Sequence, residues 1–181
     1  MALTGGWLNQ CTDGTCPGGV GTLYLANANE VSTYATSATG EVTSITMTSS
    51  AAVFYEVEFR DNSGSFTSTV TVDPDTLAKS VEIVGTGIMT CRNQDMRDFI
   101  EEMASQACGL VAVWVENTGL YWIAGQVLVG GKKRPFRLTT AEGLTGTAFT
   151  DPNQETITLT CRTTEKERVL LDGATVMAAL T

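Results

Sequence analysis

Between Val20 and Val84 the chain alternates polar and apolar residues, is rich in Thr, Ser and Val, and is punctuated by Gly and Asn. A period of two puts successive side chains on opposite faces, which is the pattern of antiparallel strands, because a helix would need apolar positions every three or four residues. Strands are expected near 20–26, 41–48, 52–60, 65–73 and 76–84. The strongest pair is 52–60 with 65–73, joined by the turn-forming quartet Asp61-Asn62-Ser63-Gly64. Pairing Arg60 with Ser65 sets Phe59 opposite Phe66, Val57 opposite Ser68, Tyr55 opposite Val70 and Val53 opposite Val72 on one face. The other face then carries Glu58 opposite Thr67, Glu56 opposite Thr69 and Phe54 opposite Thr71. The expected hairpin has a core face and a wet, acidic, hydroxyl-rich face.

One helix is expected, over about 93–107. Met96, Phe99, Ile100, Met103 and Ala107 form an apolar stripe, while Asp95, Asp98, Glu101 and Glu102 take the solvent side. Asn93 is the expected N-cap, and Cys108-Gly109 the stop. Leu110–Glu116 and 120–124 read as a hairpin around Asn117-Thr118-Gly119, covered on both faces. The last strand, 154–162, alternates Ile157, Leu159 and Cys161 against Thr156, Thr158, Thr160 and Arg162. The fold class is mainly β: two packed antiparallel sheets with one flanking α-helix and extended terminal arms. Residues 1–19 form an expected N-terminal arm, 20–162 the β domain, and 163–181 a C-terminal arm. Leu170 and Leu171 of that last segment are candidates for contacts with other subunits.

The chain has 181 residues, enough for one domain with a single core and no need of disulfides or metals. No apolar run approaches the length of a membrane span, and the opening Met1-Ala2-Leu3-Thr4-Gly5-Gly6 lacks the blocks of a signal peptide, so a soluble protein with no membrane partner is expected. A formal charge of −9 argues against a protein that grips phosphate backbones. The five cysteines, Cys11, Cys16, Cys91, Cys108 and Cys161, show no CxxC spacing and read as mostly free thiols. Histidine is absent, which removes Ser-His-Asp and Cys-His triads and imidazole metal ligands. No enzyme activity, cofactor or metal is expected.

Four local patterns have a functional reading beside a plainer one. Gly85-Thr86-Gly87-Ile88-Met89-Thr90 lacks the third glycine of a dinucleotide fingerprint and reads as a strand-to-helix turn. Gly130-Gly131-Lys132-Lys133-Arg134-Pro135 lacks the spacing of a phosphate loop, which leaves a solvated turn or a basic contact to an acidic neighbour or DNA, and makes Lys132, Lys133 and Arg134 contact candidates. Cys11-Thr12-Asp13-Gly14-Thr15-Cys16 has a strained local disulfide or half a metal site as its functional reading, but no other cysteine pair matches it and free thiols are favoured. Glu56 and Glu58 lie two apart on a Thr-covered strand face with no sign of a pocket, so a solvated face is favoured over an acid/base pair.

Taken together, the order of pieces resembles the tail tube proteins of long-tailed bacteriophages, a fold also similar to type VI secretion tube subunits. The residues that carry the likeness are 18–27 (GGVGTLYLAN), Tyr55-Glu56-Val57-Glu58-Phe59, the hairpin 111–125 after the helix, and 146–151 leading into 155–160. The resemblance spans about residues 18–162. It implies six copies closing into a ring, rings stacking into a hollow tube, and neighbouring strands joined into one lumen wall. It also implies a place in the virion tail after assembly in the host cytoplasm. Tape measure, terminator and baseplate or tip proteins would be partners, and DNA would pass transiently and without sequence preference. On that reading Glu56, Glu58, Thr67, Thr69 and Thr71 line the lumen, and an acidic, hydroxyl-lined bore lets DNA slide. The alternative is a β-sandwich virion decoration or carbohydrate-binding module, which an exposed aromatic platform would favour.

Overall fold

The computed structural model describes residues 18–148 and 151–181. In chain order the elements are β1 (Val20–Asn27), β2 (Val31–Thr36), β3 (Val42–Met47), β4 (Tyr55–Glu58), β5 (Ser65–Val72), β6 (Lys79–Thr90), α1 (Gln94–Ser105), β7 (Leu110–Glu116), β8 (Tyr121–Ala124), β9 (Leu128–Val129), β10 (Lys132–Lys133), β11 (Arg137–Leu144), β12 (Gln154–Thr163), β13 (Arg168–Val169) and α2 (Gly173–Ala178). Two sheets dominate this mainly β fold, one in the order β13-β8-β7-β1-β4 and the other in the order β11-β12-β6-β5, with β2–β3 and β9–β10 as separate hairpins. Every pair within these sheets is antiparallel.

The five-stranded sheet is apolar on both sides because its strands carry large or β-branched residues at both parities. Leu23, Leu25, Ala112, Trp114 and Ala124 face the four-stranded sheet and meet Val81, Ile83, Ile157, Leu159 and Cys161 in one core. Ala26, Val111, Val113 and Ile123 face the other way and pack under Val31, Val42 and Ile45 of β2–β3 together with Leu170 and Met177. The β7–β8 hairpin pairs Trp114 with Trp122 and Val113 with Ile123, as its sequence implies. Helix α1 closes one side of the first core with Met96, Phe99, Ile100 and the buried Met103. Its cap is the expected one, Met96 N–H donating to Asn93 Oδ1 at 2.8 Å. Ala107 lies beyond its end and is exposed.

Strands 52–60 and 65–73 do not form a hairpin. β4 pairs with β1, Leu23 opposite Val57, and β5 pairs with β6, Phe66 opposite Gly85. The face assignment for Phe59 and Phe66 holds, since both point into the first core, but they do so from different sheets. The linker 59–64 carries the chain across the core edge, where Val20 N–H donates to Gly64 O at 2.9 Å and a side chain on Gly64 would strike Val20 O. β6 offers β5 a ladder from Ser65 to Val72, more hydrogen bonds than the four-residue β4 could supply.

Gly85-Thr86-Gly87-Ile88-Met89-Thr90 is the interior of β6 and not a turn. A Cβ on Gly85 would lie 2.4 Å from the Phe66 ring, and one on Gly87 2.2 Å from the Phe59 ring. The two glycines are vacancies in the sheet surface that aromatic rings fill. Phe66 in turn stacks on Trp114 with ring centroids 4.2 Å apart and meets Phe136 edge-on at 6.1 Å, which ties the two sheets together.

The segment 163–181 is likewise not an arm. Arg168–Val169 adds β13 beside β8, Leu171 N–H donates to Val42 O, and Leu180 O accepts from Phe54 N–H at 2.7 Å. With Leu170 and Met177 3% and 2% exposed, this segment covers the second face of the five-stranded sheet. The proposed N-terminal arm lies outside the described residues except for Gly18 and Gly19.

Candidate functional site

The outer face of the four-stranded sheet is the surface that the rest of the fold leaves bare. Ladder partners share a face, so rows can be read across it. Ser65, Thr86, Thr158 and Thr140 form one row, and Thr67, Val84 and Thr160 the next. Thr69, Glu82 and Arg162 follow, then Thr71 with Ser80, while Ile88, Thr156 and Glu142 lie toward the other end. Alternating apolar and Thr positions make this half-buried arrangement, with Val81, Ile83, Ile157 and Leu159 on the inner side and hydroxyls outside. The Thr139 and Thr160 hydroxyls are 2.9 Å apart, and Thr67 donates to Val84 O at 3.4 Å. Arg162 Nε donates to Glu82 Oε1 at 2.8 Å, so two of the charges on this face neutralise each other.

Both edges of this sheet are unpaired among the described residues. β5 bonds only β6 on one side, and β11 bonds only β12 on the other. Each edge strand is eight residues long. An open edge presents a row of free N–H and C=O groups and is a template for a further strand. On β5 the exposure is also apolar, since Val70 and Val72 are 43% and 52% exposed on the core side, and Leu77, at the tip after β5, is 75% exposed. That tip is held by Asp73, whose carboxylate accepts from the N–H groups of Asp75 and Thr76 at 2.8 and 2.9 Å. These backbone donors hold the Asp73 carboxyl below the usual carboxylate range. On the side of β11, Arg134, Arg137 and Arg162 surround a depression of about 330 Å³ floored by Pro135, Thr139 and Thr160.

The expected lumen residues separate into two groups. Thr67, Thr69 and Thr71 stand together on this hydroxyl face, whereas Glu56 and Glu58 belong to the five-stranded sheet. Glu56 sits opposite Tyr24, and the Tyr24 hydroxyl is raised above its ordinary value by burial first and by the Glu56 charge second. Both glutamates line a groove beside α1 with Phe59, Met89, Asp95 and Phe99. The two groups lie apart because β4 and β5 pair with different strands, and the expected alternation of 52–60 also breaks, since Phe54, placed on the wet face, is buried in the second core and Tyr55, placed on the core face, is 56% exposed.

The contact candidates also divide. Lys132 and Arg134 are exposed, but Lys133 Nζ donates to Ala28 O and Val31 O at 2.6 Å each and is spent inside the subunit. Leu170 is core, and Leu171 is 37% exposed. Thr86, Thr140, Thr156, Thr158 and Thr160 were missed as a common surface. The alternation of Thr156, Thr158 and Thr160 was visible, but which strands lie side by side was not. Among the described residues no His/Cys/Asp/Glu group could hold a metal ion, and no helix is long and apolar enough to cross a membrane. Cys91, Cys108 and Cys161 are free; burial pushes the Cys161 thiol up to about 12, and its Sγ donates to Arg134 O at 3.1 Å.

The chain matches no family model, no curated protein and no solved structure.

Proposed function

We propose that this protein is a structural subunit of a tube, the tail tube of a long-tailed bacteriophage, in which copies join edge to edge into rings that stack around a DNA conduit. The observation that carries the reading is the four-stranded sheet with a hydroxyl outer face and two open edges of equal length. Because they are the first and last strands of a four-stranded antiparallel sheet, β5 and β11 run in opposite directions. Copies related by rotation about one axis can therefore join β5 to β11 and continue the same antiparallel pattern around a closed ring.

The stagger of the sheet supports closure. The ends of β5 fall opposite Lys79 and Thr86 of β6, and those of β11, traced through β12, fall opposite Val84 and Thr90, an offset of five residues at one end and four at the other. At about 3.3 Å per residue and 4.8 Å per strand this corresponds to a tilt of roughly 35–40°, within the range at which sheets close into barrels. With six copies such a barrel measures roughly 45 Å across between backbones, wide enough for a double helix. Threonine hydroxyls and a neutralised Glu82–Arg162 pair line most of the wall and offer passing phosphates little to bind, with Arg137 the exception at the β11 edge. Among the described residues Tyr55 is the one exposed large aromatic, which leaves a carbohydrate-binding platform without support.

Negative-stain microscopy and sedimentation of purified protein over a range of concentrations test the reading. Six-fold rings or tubes with an open bore are expected; a compact monomer at every concentration and salt would overturn it.

A further inference from the structure

Resting on the tube reading, we infer that the β5–β6 hairpin of one copy docks on the Arg134–Arg137 corner of a second copy, with Asp73 set directly opposite Arg137. Face parity selects this register. Directly opposed residues must share a face, so Val70 and Val72, which point to the core side, must meet core-side residues of β11. Those residues are Leu138, Ala141 and Gly143, with Thr139 the extra residue of a bulge between Leu138 and Thr140. Sliding the strands the other way would place Val72 against Phe136, whose backbone N–H and C=O are both committed to Leu110 at 2.8 and 2.9 Å. The register of greatest overlap therefore puts Val72 opposite Leu138, Val70 opposite Ala141 and Thr69 opposite Glu142. The inter-copy offset becomes six residues, a tilt of about 45°, at the top of the closing range.

Three unrelated features then fall into place together. The exposed valines of β5 gain cover from half-buried Leu138 and Ala141, and the exposed Leu77 lies near Pro135. Asp73, next along β5 and on the outer face, falls across from Arg137, while Asp75 extends toward Arg134. Among the described residues Arg134 has no ion-pair partner and Arg137 spends one N–H on Ala107 O at 3.1 Å, so both retain donors for an incoming carboxylate. The ring contact would thus neutralise the basic corner that otherwise places unpaired positive charge on the bore wall. This is a heterologous contact, tail of one copy to head of the next, as ring closure requires.

The test is a charge swap read by critical concentration in sedimentation and by microscopy, with circular dichroism of the dilute protein confirming a folded chain. Arg137→Glu should raise the critical concentration about tenfold or more, and adding Asp73→Arg should bring it back to within about threefold of the wild type. Because Asp73 also holds its own turn, the pair Asp75→Arg with Arg134→Glu repeats the experiment without touching it, and the same loss and rescue are expected. If the wild-type chain forms rings but neither swap changes their formation, or the double variants are no better than the single ones, this register is wrong while the tube reading stands. If the wild-type chain forms no rings at all, the tube reading itself is lost and this contact with it.

Discussion

The five-stranded and four-stranded sheets obey the same local chemistry and end in opposite circumstances. In the first, both parities are apolar, so β2–β3 and the C-terminal segment must cover one face and the second sheet the other. In the second, one parity is apolar and the other is mostly threonine, so one face is sealed against Trp114 and Leu23 and the other needs no cover. The first sheet is accordingly scaffold, and the second is the surface with work left to do: wet outside, tied to the core by the Phe66–Trp114 stack, and open at both edges.

The sharpest way to break this contrast is to uncover the scaffold. Deleting residues 170–181 removes Leu170 and Met177 from the second core and exposes Val111, Val113 and Ile123. Each such core side chain is worth about 2–5 kcal/mol, so the loss rivals the whole stability of a typical domain. Thermal melts should show no cooperative transition; a truncated chain that melts like the full one would show that the segment is an arm after all. Next in size, Trp114→Ala should cost about 3–5 kcal/mol by leaving Phe66 without its stacking partner, read as a lowered midpoint in urea.

A pH series probes the sealed face of the four-stranded sheet. Cys161 has its thiol raised from an ordinary 9.0 to about 12 by burial. The unfolded chain therefore loses this proton first as pH rises, and stability fully present below about pH 9 should fall toward pH 12, by up to about 1.4 kcal/mol per pH unit. Cys161→Ala should lack that component, so the difference between the two proteins should narrow steadily above pH 9. A difference that stays constant would mean the thiol is not sealed.

The smallest effect is expected at Glu56 and Glu58. Glu56→Lys with Glu58→Lys should change stability by no more than about 0.5 kcal/mol, since both side chains are exposed. If the bore is the threonine face, DNA passage through assembled tubes should also be unchanged at low salt, whereas Thr158→Lys with Thr86→Lys should slow it in a salt-sensitive way. Slowed passage in the glutamate variant would restore those residues to the lumen.

Alternation and caps are local, and in several elements they were legible. The buried parity of β12, the N-cap of α1 and the β7–β8 hairpin around Gly119 all follow from neighbours in sequence. Partner choice was not legible, because main-chain hydrogen bonds are the same for every strand and only packing across the core distinguishes one edge from another. Phe59 and Phe66 carried a correct face and a wrong neighbour for this reason. Likewise Gly85 and Gly87, which look like a turn in one dimension, are strand positions because two rings, arriving from other parts of the chain, occupy the space their side chains would take. By itself the sequence determined which side of β5 and of β12 turns inward. Only the tertiary structure decided which strands stand together, and so gathered scattered threonines into one face and left two edges open, because that choice depends on contacts between residues far apart in the chain.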